Sequence, residues 1–217
     1  MNPSVPDSPA MSHATPVSHG LYLHGFRSSP HSTKARQFAD WVRTHRPDVT
    51  WWCPQLPPSP REAVALLEHG CADWPKDRTA IIGSSLGGFY ATVLAERWGS
   101  RAVLLNPAVN PARDLSAHIG ESRSWHDDEP FFFRPGFIDE LQAMTPAAIT
   151  RPERYLAVIA EGDEVLDWRE MHARYAGCAT RVLPRDAAGS DHSLSRFDDQ
   201  MPEVLAFAGL SARCGTR

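Results

Sequence analysis

Short apolar runs alternate with segments of helical length along most of this chain of 217 residues, and this alternation restricts the fold more than any other feature. Each run is rich in β-forming residues, ends at a turn of Gly, Pro or Ser, and precedes an amphipathic segment. Such alternation is typical of a parallel sheet with helices on both faces. The runs predict strands at 20–23, 49–53, 79–82, 102–105, 155–160 and 180–183, and helices near 31–45, 61–74, 86–98, 168–175 and 199–210. We therefore expect an α/β fold with a parallel sheet of about six strands.

Composition and charge exclude several classes of protein. Hydrophobic residues make up 42% of the chain and charged residues 22%, which is ordinary for one soluble globular domain. The net charge of −4 offers no basic surface for nucleic acid or anionic lipid. The longest apolar run, 155–160, is far shorter than the ~20 residues of a membrane span, and no basic residue precedes Arg27, as a secretory signal would require. We expect a cytoplasmic protein that neither binds nucleic acid nor crosses a membrane.

Two segments depart from the alternation. Residues 1–18 contain four prolines, four serines and no aromatic residue, which predicts a disordered leader before one domain over 19–217. Nearly fifty residues separate the fourth and fifth predicted strands, and they include Trp125 and the run Phe131-Phe132-Phe133. We name residues 108–152 the insert. A connection this long is usually a lid or binding wall, although it could also bury its aromatic side chains for stability alone.

A Gly-x-Ser-x-Gly motif follows the third predicted strand, within the segment Gly83-Ser84-Ser85-Leu86-Gly87-Gly88. A strand, this motif and a helix together are typical of the nucleophile elbow of hydrolases, where glycines leave room for a tight turn. The elbow places a hydroxyl near a helix N-terminus, where negative charge is stabilised. The motif therefore predicts Ser85 as the nucleophile of an acyl transfer. The alternative is a turn whose serine only caps the helix, and a dinucleotide-binding motif would need glycine at position 85.

A serine nucleophile needs a base, and in hydrolases with this motif the histidine comes late in the chain. Only His172 and His192 lie in the last third of the sequence. His172 falls within a predicted helix, whereas His192 follows the last predicted strand, and loops at the carboxyl ends of strands form the sites of α/β sheets. We predict His192 as the base. The alternative is a histidine on a surface loop.

The acid is expected after the fifth predicted strand, where four carboxylates follow one another. They are Glu161, Asp163, Glu164 and Asp167. Asp163 is the predicted acid because it follows a turn glycine soon after the strand ends, from where it can hold the imidazole in one tautomer. Asp167 is the next candidate, before Glu161 and Glu164. Each of the four could instead cap the following helix or be a solvated charge.

An oxyanion hole requires two backbone donors. We predict the N–H of Leu86 as one and that of Phe26 as the other, because the first predicted strand ends in the sequence His24-Gly25-Phe26. His24 is expected to be a structural residue. No cluster of His, Cys, Asp or Glu has the spacing of metal ligands, so neither a metal nor a cofactor is predicted. The cysteines, Cys53, Cys71, Cys178 and Cys214, are expected to be free thiols.

Five segments in order resemble the YqiA-type (UPF0227) small bacterial esterases of the α/β-hydrolase superfamily. They are 22–30, 53–58, 83–88, Asn106-Pro107-Ala108-Val109 and 162–167. The resemblance implies a compact hydrolase core without the first two strands of the superfamily, a sheet order of 2-1-3-4-5-6, and a triad of Ser85, Asp163 and His192. The family usually has Gly-Gly-x-His before two hydrophobic residues, whereas here His192 follows Gly189-Ser190-Asp191 and precedes Ser193. This departure implies a differently placed base loop.

Together these features predict a serine esterase that acts on small-molecule substrates, namely short-to-medium acyl esters or thioesters. Trp125, Phe131, Phe132 and Phe133 are the predicted apolar wall for the acyl group. Two alternatives remain open at this point: a hydrolase-like protein that binds small molecules without catalysis, and a peptidase or lyase that uses the same elbow.

Overall fold

Six parallel strands form the central sheet of the computed structural model, which describes residues 16–123 and 130–213. In chain order the strands are β1 (His19–Leu23), β2 (Thr50–Trp52), β3 (Thr79–Ser84), β4 (Arg101–Leu105), β5 (Gly120–Arg123), β6 (Pro130–Phe133), β7 (Tyr155–Ala160) and β8 (Ala179–Leu183). The central sheet has the order β2-β1-β3-β4-β7-β8, and β5 and β6 form a separate antiparallel hairpin. The expected fold class and strand order are therefore confirmed.

Helices cover both faces of the central sheet. They are α1 (Thr33–His45), α2 (Pro60–Gly70), α3 (Leu86–Trp98), α4 (Pro111–Asp114), α5 (Gly136–Met144), α6 (Trp168–Arg174) and α7 (Met201–Ala208). Side chains of a strand alternate between its two faces. Accordingly, Ile81 of β3 lies in a core cluster with α2, α3, α5 and α6, whereas Ile82 lies in a second cluster with α1 and α7. Helix α3 is buried over its first ten residues, which places the start of this helix in the middle of the protein.

The insert contains two short helices, α4 and α5, and the β5–β6 hairpin, none of which the sequence pattern predicts individually. Ionic and polar side chains attach it to the core at two places. Arg113 of α4 forms two hydrogen bonds of 2.7 Å with Glu170 of α6. Glu140 of α5 accepts a hydrogen bond of 2.8 Å from Ser59, the residue before α2. The insert thus contacts the core on both sides of α3.

The packed chain begins earlier than the composition suggests. Val17 is 5% exposed and belongs to the core cluster of α1 and α7. The N–H of Ser18 donates to the carbonyl of Arg78, and the carbonyl of Ser18 accepts from the N–H of Thr50. Both contacts extend the sheet beyond β1. Residues 1–15 of the expected leader lie outside the described residues. No helix in the described part of the chain is long and apolar enough to span a bilayer.

Candidate active site

Ser85 occupies the turn between β3 and α3 in a backbone conformation that is rare for a residue with a side chain. Its φ is 55°, in the left-handed region, where strain is usually tolerated only at functional positions. The surrounding backbone holds this conformation. The N–H of Ser85 donates to the carbonyl of Leu105, and the carbonyl of Ser85 accepts from the N–H of Ala108, each at 3.0 Å. Ser85 is therefore fixed to the end of the neighbouring strand β4.

The glycines of the motif are required by close backbone contacts. A Cβ on Gly83 would overlap the carbonyl of Gly87, and a Cβ on Gly87 would overlap the carbonyl of Leu23 at the end of β1. Side chains at these two positions would force β1, β3 and α3 apart. The tight turn expected from the sequence is thus present, and it presents the Ser85 hydroxyl at the carboxyl end of the sheet.

A chain of two hydrogen bonds joins Ser85, His192 and Asp163. His192 Nε2 lies 3.1 Å from Ser85 Oγ, and His192 Nδ1 lies 2.8 Å from Asp163 Oδ2. Since an ionised carboxylate can only accept, Nδ1 donates to Asp163, and in the neutral imidazole Nε2 then accepts from the serine hydroxyl. The other carboxylate oxygen of Asp163 accepts from the N–H groups of Val165 and Leu166, both at 2.8 Å, and the side chain is fully buried. These contacts fix the direction in which the carboxylate faces the imidazole.

The other carboxylates considered for the acid make different contacts. Asp167 caps α6 by accepting from the N–H of Arg169 at 2.9 Å, and Glu161 accepts from the N–H of Arg185 at 3.1 Å. Glu164 accepts from the backbone N–H of His192 at 3.0 Å. The structure therefore brings Asp163, and not these three residues, to the imidazole. His172 lies on α6 with its ring centroid 6.4 Å from that of Trp168 and forms no part of this arrangement.

The loop after β1 lies directly beside Ser85. A Cβ on Gly25 would lie 3.2 Å from the Cβ of Ser85, and the next residue, Phe26, lines a depression together with Gly25 and Leu86. On the other side, Leu86 is the first residue of α3, and the first N–H groups of a helix have no acceptor within it. Both residues predicted for the oxyanion hole therefore flank Ser85.

His24 links this loop to the loop that follows β2. The side chain is 4% exposed, and its Nε2 accepts from the N–H of Leu56 at 3.0 Å. Its Nδ1 therefore carries the proton and donates to the carbonyl of Gly25 at 3.0 Å. Both ring nitrogens are used by the backbone, as expected for a structural residue.

The aromatic residues predicted as an acyl wall do not share one environment. Phe133 is 1% exposed and packs edge-on against Phe26, with ring centroids 5.4 Å apart. Phe132, its neighbour in β6, is 52% exposed. Trp125 and the side chain of Phe131 lie outside the described residues. Phe133 therefore packs against the loop beside Ser85 as a buried side chain. It does not form an open surface for a substrate.

A small depression next to the nucleophile is instead lined mainly by apolar side chains from the loops after β1 and β2 and from the start of α3. The apolar members are Phe26, Leu56, Pro57, Pro58, Leu86 and Tyr90. Burial raises the pKa of Tyr90 well above its usual range, so this hydroxyl stays neutral. Arg27 and Gln55 contribute polar groups at the same depression. Of the residues predicted as the acyl wall, neither Phe132 nor Phe133 lines this depression.

Two residues that the sequence reasoning gave no role contact the base loop, residues 187–194. Asn106, directly after β4, is fully buried and donates to the carbonyls of Asp191 and His192. Lys34 of α1 is half-buried and donates to the carbonyl of Ser193. Burial lowers the pKa of Lys34 to about 8, partly opposed by the charge of Asp191. Asn106 is a polar residue at the end of a buried strand, and this position in the sequence could have indicated a structural role for its side chain.

Among the described residues, no group of three or more His, Cys, Asp or Glu side chains converges so as to hold a metal ion. Cys53, Cys71 and Cys178 are free thiols, and burial raises the pKa of the first to about 12 and of the second to about 11. Cys214 lies outside the described part of the chain.

Solved structures that are similar to this chain include α/β hydrolases. The chain is similar to alpha/beta hydrolase domain-containing protein 10 from mouse, with 14% identity, coverage of 87% of this chain and 89% of that chain, and a TM-score of 0.64. It is also similar to Est1E from Butyrivibrio proteoclasticus with ferulic acid bound, at 15% identity, 92% coverage of each chain and a TM-score of 0.62. A third similar structure is a monoacylglycerol lipase from Paleococcus ferrophilus, with 10% identity, coverage of 89% and 95%, and a TM-score of 0.61. At these identities the similarity shows the fold alone.

One family model matches the sequence over residues 19–209, which is most of the chain and includes every strand of the central sheet. Its description is "Uncharacterised protein family (UPF0227)". This protein therefore belongs to the UPF0227 family and has the α/β-hydrolase fold.

Proposed function

We propose that this protein is a serine hydrolase that cleaves carboxylic esters or thioesters, with Ser85 as nucleophile, His192 as general base and Asp163 as the acid that orients it. The observation that carries the proposal is the chain of hydrogen bonds from Ser85 Oγ through both nitrogens of His192 to the buried carboxylate of Asp163. Two features support it. The left-handed conformation of Ser85 exposes a nucleophile at the end of the sheet, and the imidazole tautomer leaves Nε2 able to accept a proton.

In the proposed reaction, Ser85 Oγ attacks the carbonyl carbon of the substrate while His192 Nε2 accepts the hydroxyl proton. The carbonyl oxygen becomes an oxyanion, which we assign to the backbone N–H groups of Phe26 and Leu86. Collapse of the tetrahedral intermediate expels the alcohol or thiol, which takes the proton from Nε2, and leaves an acyl group on Ser85. A water molecule then attacks the acyl-enzyme with His192 again acting as base, and releases the carboxylic acid.

The proposed substrates are esters or thioesters with a short-to-medium acyl group. The support is the apolar depression next to Ser85, in which Leu56, Pro57 and Pro58 face the loop of Phe26. An apolar lining favours an acyl chain, and a depression this shallow suits a compact group better than a long one. Two structures with the same fold are named for ester chemistry, namely Est1E and the monoacylglycerol lipase.

The experiment that tests this function is covalent labelling with a fluorophosphonate, followed by intact-mass measurement. We expect one adduct on the wild-type protein, because the activated Oγ displaces fluoride from phosphorus. Ser85→Ala should give no adduct, and Ser84→Ala, the same change one residue earlier, should be labelled like the wild type. An unlabelled wild-type protein, or an adduct on Ser85→Ala, would exclude the serine hydrolase. An adduct without turnover of any oxygen ester or thioester in a panel of acyl lengths would contradict the esterase and favour a different acyl chemistry.

A further inference from the structure

Asn106 lies at the end of β4 and is fully buried, so each of its polar atoms requires a partner within the protein. Its Nδ2 donates to two carbonyls of the base loop, that of Asp191 at 2.9 Å and that of His192 at 3.1 Å. Its Oδ1 accepts from the N–H of Ala160, the last residue of β7, at 2.8 Å. One amide therefore joins the backbone of His192 to the strand that leads into Asp163.

The backbone of Asn106 is adapted to this position. Its φ is 42°, in the left-handed region that asparagine tolerates better than most residues, and its N–H donates to the carbonyl of Val158 in β7. The chain thus turns away from the sheet at Asn106 with the amide directed towards the end of β7. Pro107 follows at once, so this turn also begins the path into the insert.

The base loop has further contacts, but they act at other points. The hydroxyl of Ser190 accepts from the N–H of Gly162 and donates to the carbonyl of Leu183, both at 3.1 Å, which fixes the loop before the histidine. Exposed Glu164 accepts from the N–H of His192. Asn106 differs because it is fully buried and holds both the histidine's own carbonyl and the strand before the acid.

We propose that Asn106 is a positioning residue that sets the distance between the base and the acid. By holding the backbone of His192 against the end of β7, its amide keeps Nδ1 within hydrogen-bond distance of Asp163 while Nε2 reaches Ser85. The kinetic part of this proposal rests on the proposed serine hydrolase function, whereas the geometric part does not. Displacement of a reacting group by about 1 Å can slow a reaction by roughly 10²-fold, which gives the scale of the expected effect.

The test replaces Asn106 by aspartate, which has the same shape but no N–H donors. In Asn106→Asp, one carboxyl oxygen can still accept from the N–H of Ala160. The other oxygen takes the place of the donor Nδ2 and faces the two carbonyl oxygens of the base loop. Because like charges repel, the base loop should move away. Asn110→Asp is the matched control, because it is the same change on the same segment at an exposed residue that contacts Glu170. Circular dichroism and thermal unfolding establish that each variant is folded.

Two measurements are made on the folded variants. For Asn106→Asp we expect the rate of fluorophosphonate labelling and the kcat for p-nitrophenyl acetate to fall by about 10²-fold with little change in KM, because only the base is displaced. The second measurement is the downfield proton resonance of a histidine Nδ1 that is hydrogen-bonded to a carboxylate. We expect this resonance in the wild type and in Asn110→Asp, and its loss in Asn106→Asp, which a merely destabilising substitution would not cause.

Two results separate this proposal from the proposed function. If Asn106→Asp is labelled as fast as Asn110→Asp and keeps the downfield resonance, the positioning role is wrong. If the wild type is not labelled but Asn106→Asp still loses the resonance, the hydrolase proposal fails and the positioning of His192 stands. Should Asn106→Asp not fold, Asn106→Gly removes the same amide, introduces no buried charge and accepts the left-handed backbone. The same loss of labelling rate and resonance is expected from it, and wild-type values for both would overturn the proposal.

Discussion

The elbow, acid and base loops, which we propose to be the catalytic loops, and the insert both border Ser85, but their polar contacts differ in burial. The elbow and the acid and base loops are fixed by backbone contacts and buried side chains, such as the carboxylate of Asp163, which is fully buried and accepts three hydrogen bonds. The insert also buries apolar side chains in the core, such as Leu141, but its ion pair with α6 lies at the surface, where Arg113 is 58% exposed and Glu170 is 35% exposed. Exposed pairs contribute only about 0–1 kcal/mol each to the free energy of unfolding.

The difference suggests how the two regions would share the work of the proposed hydrolase. Chemistry requires distances that hold to within a fraction of an ångström, and these residues lie on loops that leave buried parallel strands. A boundary for the substrate can be less rigid, and the rings of His118 and Phe133 in the insert both contact Phe26, through which the insert reaches the loop beside Ser85. Changes in the catalytic loops should therefore affect turnover, whereas changes in the insert should affect stability and substrate binding.

The largest expected effect comes from the acid. In Asp163→Asn the amide would donate to Nδ1, so the imidazole proton would move to Nε2 and the base could no longer accept from Ser85. We expect kcat to fall by roughly 10⁴-fold with a small change in KM. Asp167→Asn is the control, because asparagine caps a helix about as well as aspartate, and activity should be unchanged. Steady-state kinetics with p-nitrophenyl esters measure both, and a greater loss in Asp167→Asn would show that the acid was assigned wrongly.

A smaller effect is expected where the insert meets the catalytic loops. Phe133→Ala removes a ring that is 1% exposed and touches both Phe26 and Phe137, so it should lower the free energy of unfolding by about 3 kcal/mol and raise KM by loosening the loop of Phe26. Phe132→Ala, one residue earlier in β6, removes an exposed ring and should change stability by less than about 0.5 kcal/mol.

Urea unfolding and ester kinetics on both variants test this contrast. Equal stability of Phe133→Ala and the wild type would show that the insert does not support the loop of Phe26. A rise in KM for longer acyl chains in Phe132→Ala alone would instead show that the exposed ring contacts the substrate. Either result would change the roles assigned to the catalytic loops and to the insert.

The sequence predicted those parts of the molecule that depend on local physical constraints. Gly83 and Gly87 lie in a turn too tight for side chains, and strands such as β7 are continuous apolar runs, so both are visible in neighbouring residues. Asp163 could be chosen because parallel strands bring their carboxyl ends to one edge. These signals were sufficient for the fold class and for the residues that meet at Ser85, whereas the strand order was implied by the resemblance to the UPF0227 esterases.

Features that depend on contacts between distant segments were not visible in the same way. Phe133 could be read as a substrate wall because its burial is decided by Phe26, more than a hundred residues earlier in the chain. In the sequence, Asn106 is one polar residue among others in a loop. Only the folded chain shows that it contacts the base loop. Val17 appeared to belong to the leader because only tertiary contacts with the α1 and α7 cluster distinguish it from its neighbours.

The smallest expected effect is a pH dependence of the insert's attachment to α6. Hydrogen bonds from Arg113 hold the pKa of Glu170 below its ordinary value, with a further contribution from Asn110 and against the effect of burial. Because the folded-state pKa is lowered, this pair stabilises the protein fully above the ordinary glutamate pKa of about 4.3, and the stabilisation is lost as the pH falls through the folded value. With both side chains partly exposed, we expect about 0.5 kcal/mol.

The measurement is the difference in unfolding free energy between the wild type and Glu170→Gln from about pH 6 down to about pH 3. We expect a small constant advantage of the wild type at the upper end, which disappears at the lower end, and a smaller advantage in high salt because exposed charges are screened. An advantage that persists at the lowest pH would show that the ion pair is not its source, because a protonated glutamate is as neutral as the glutamine that replaces it. In that case uncharged contacts would attach the insert to α6. The insert and the catalytic loops would then differ only in how exposed their contacts are.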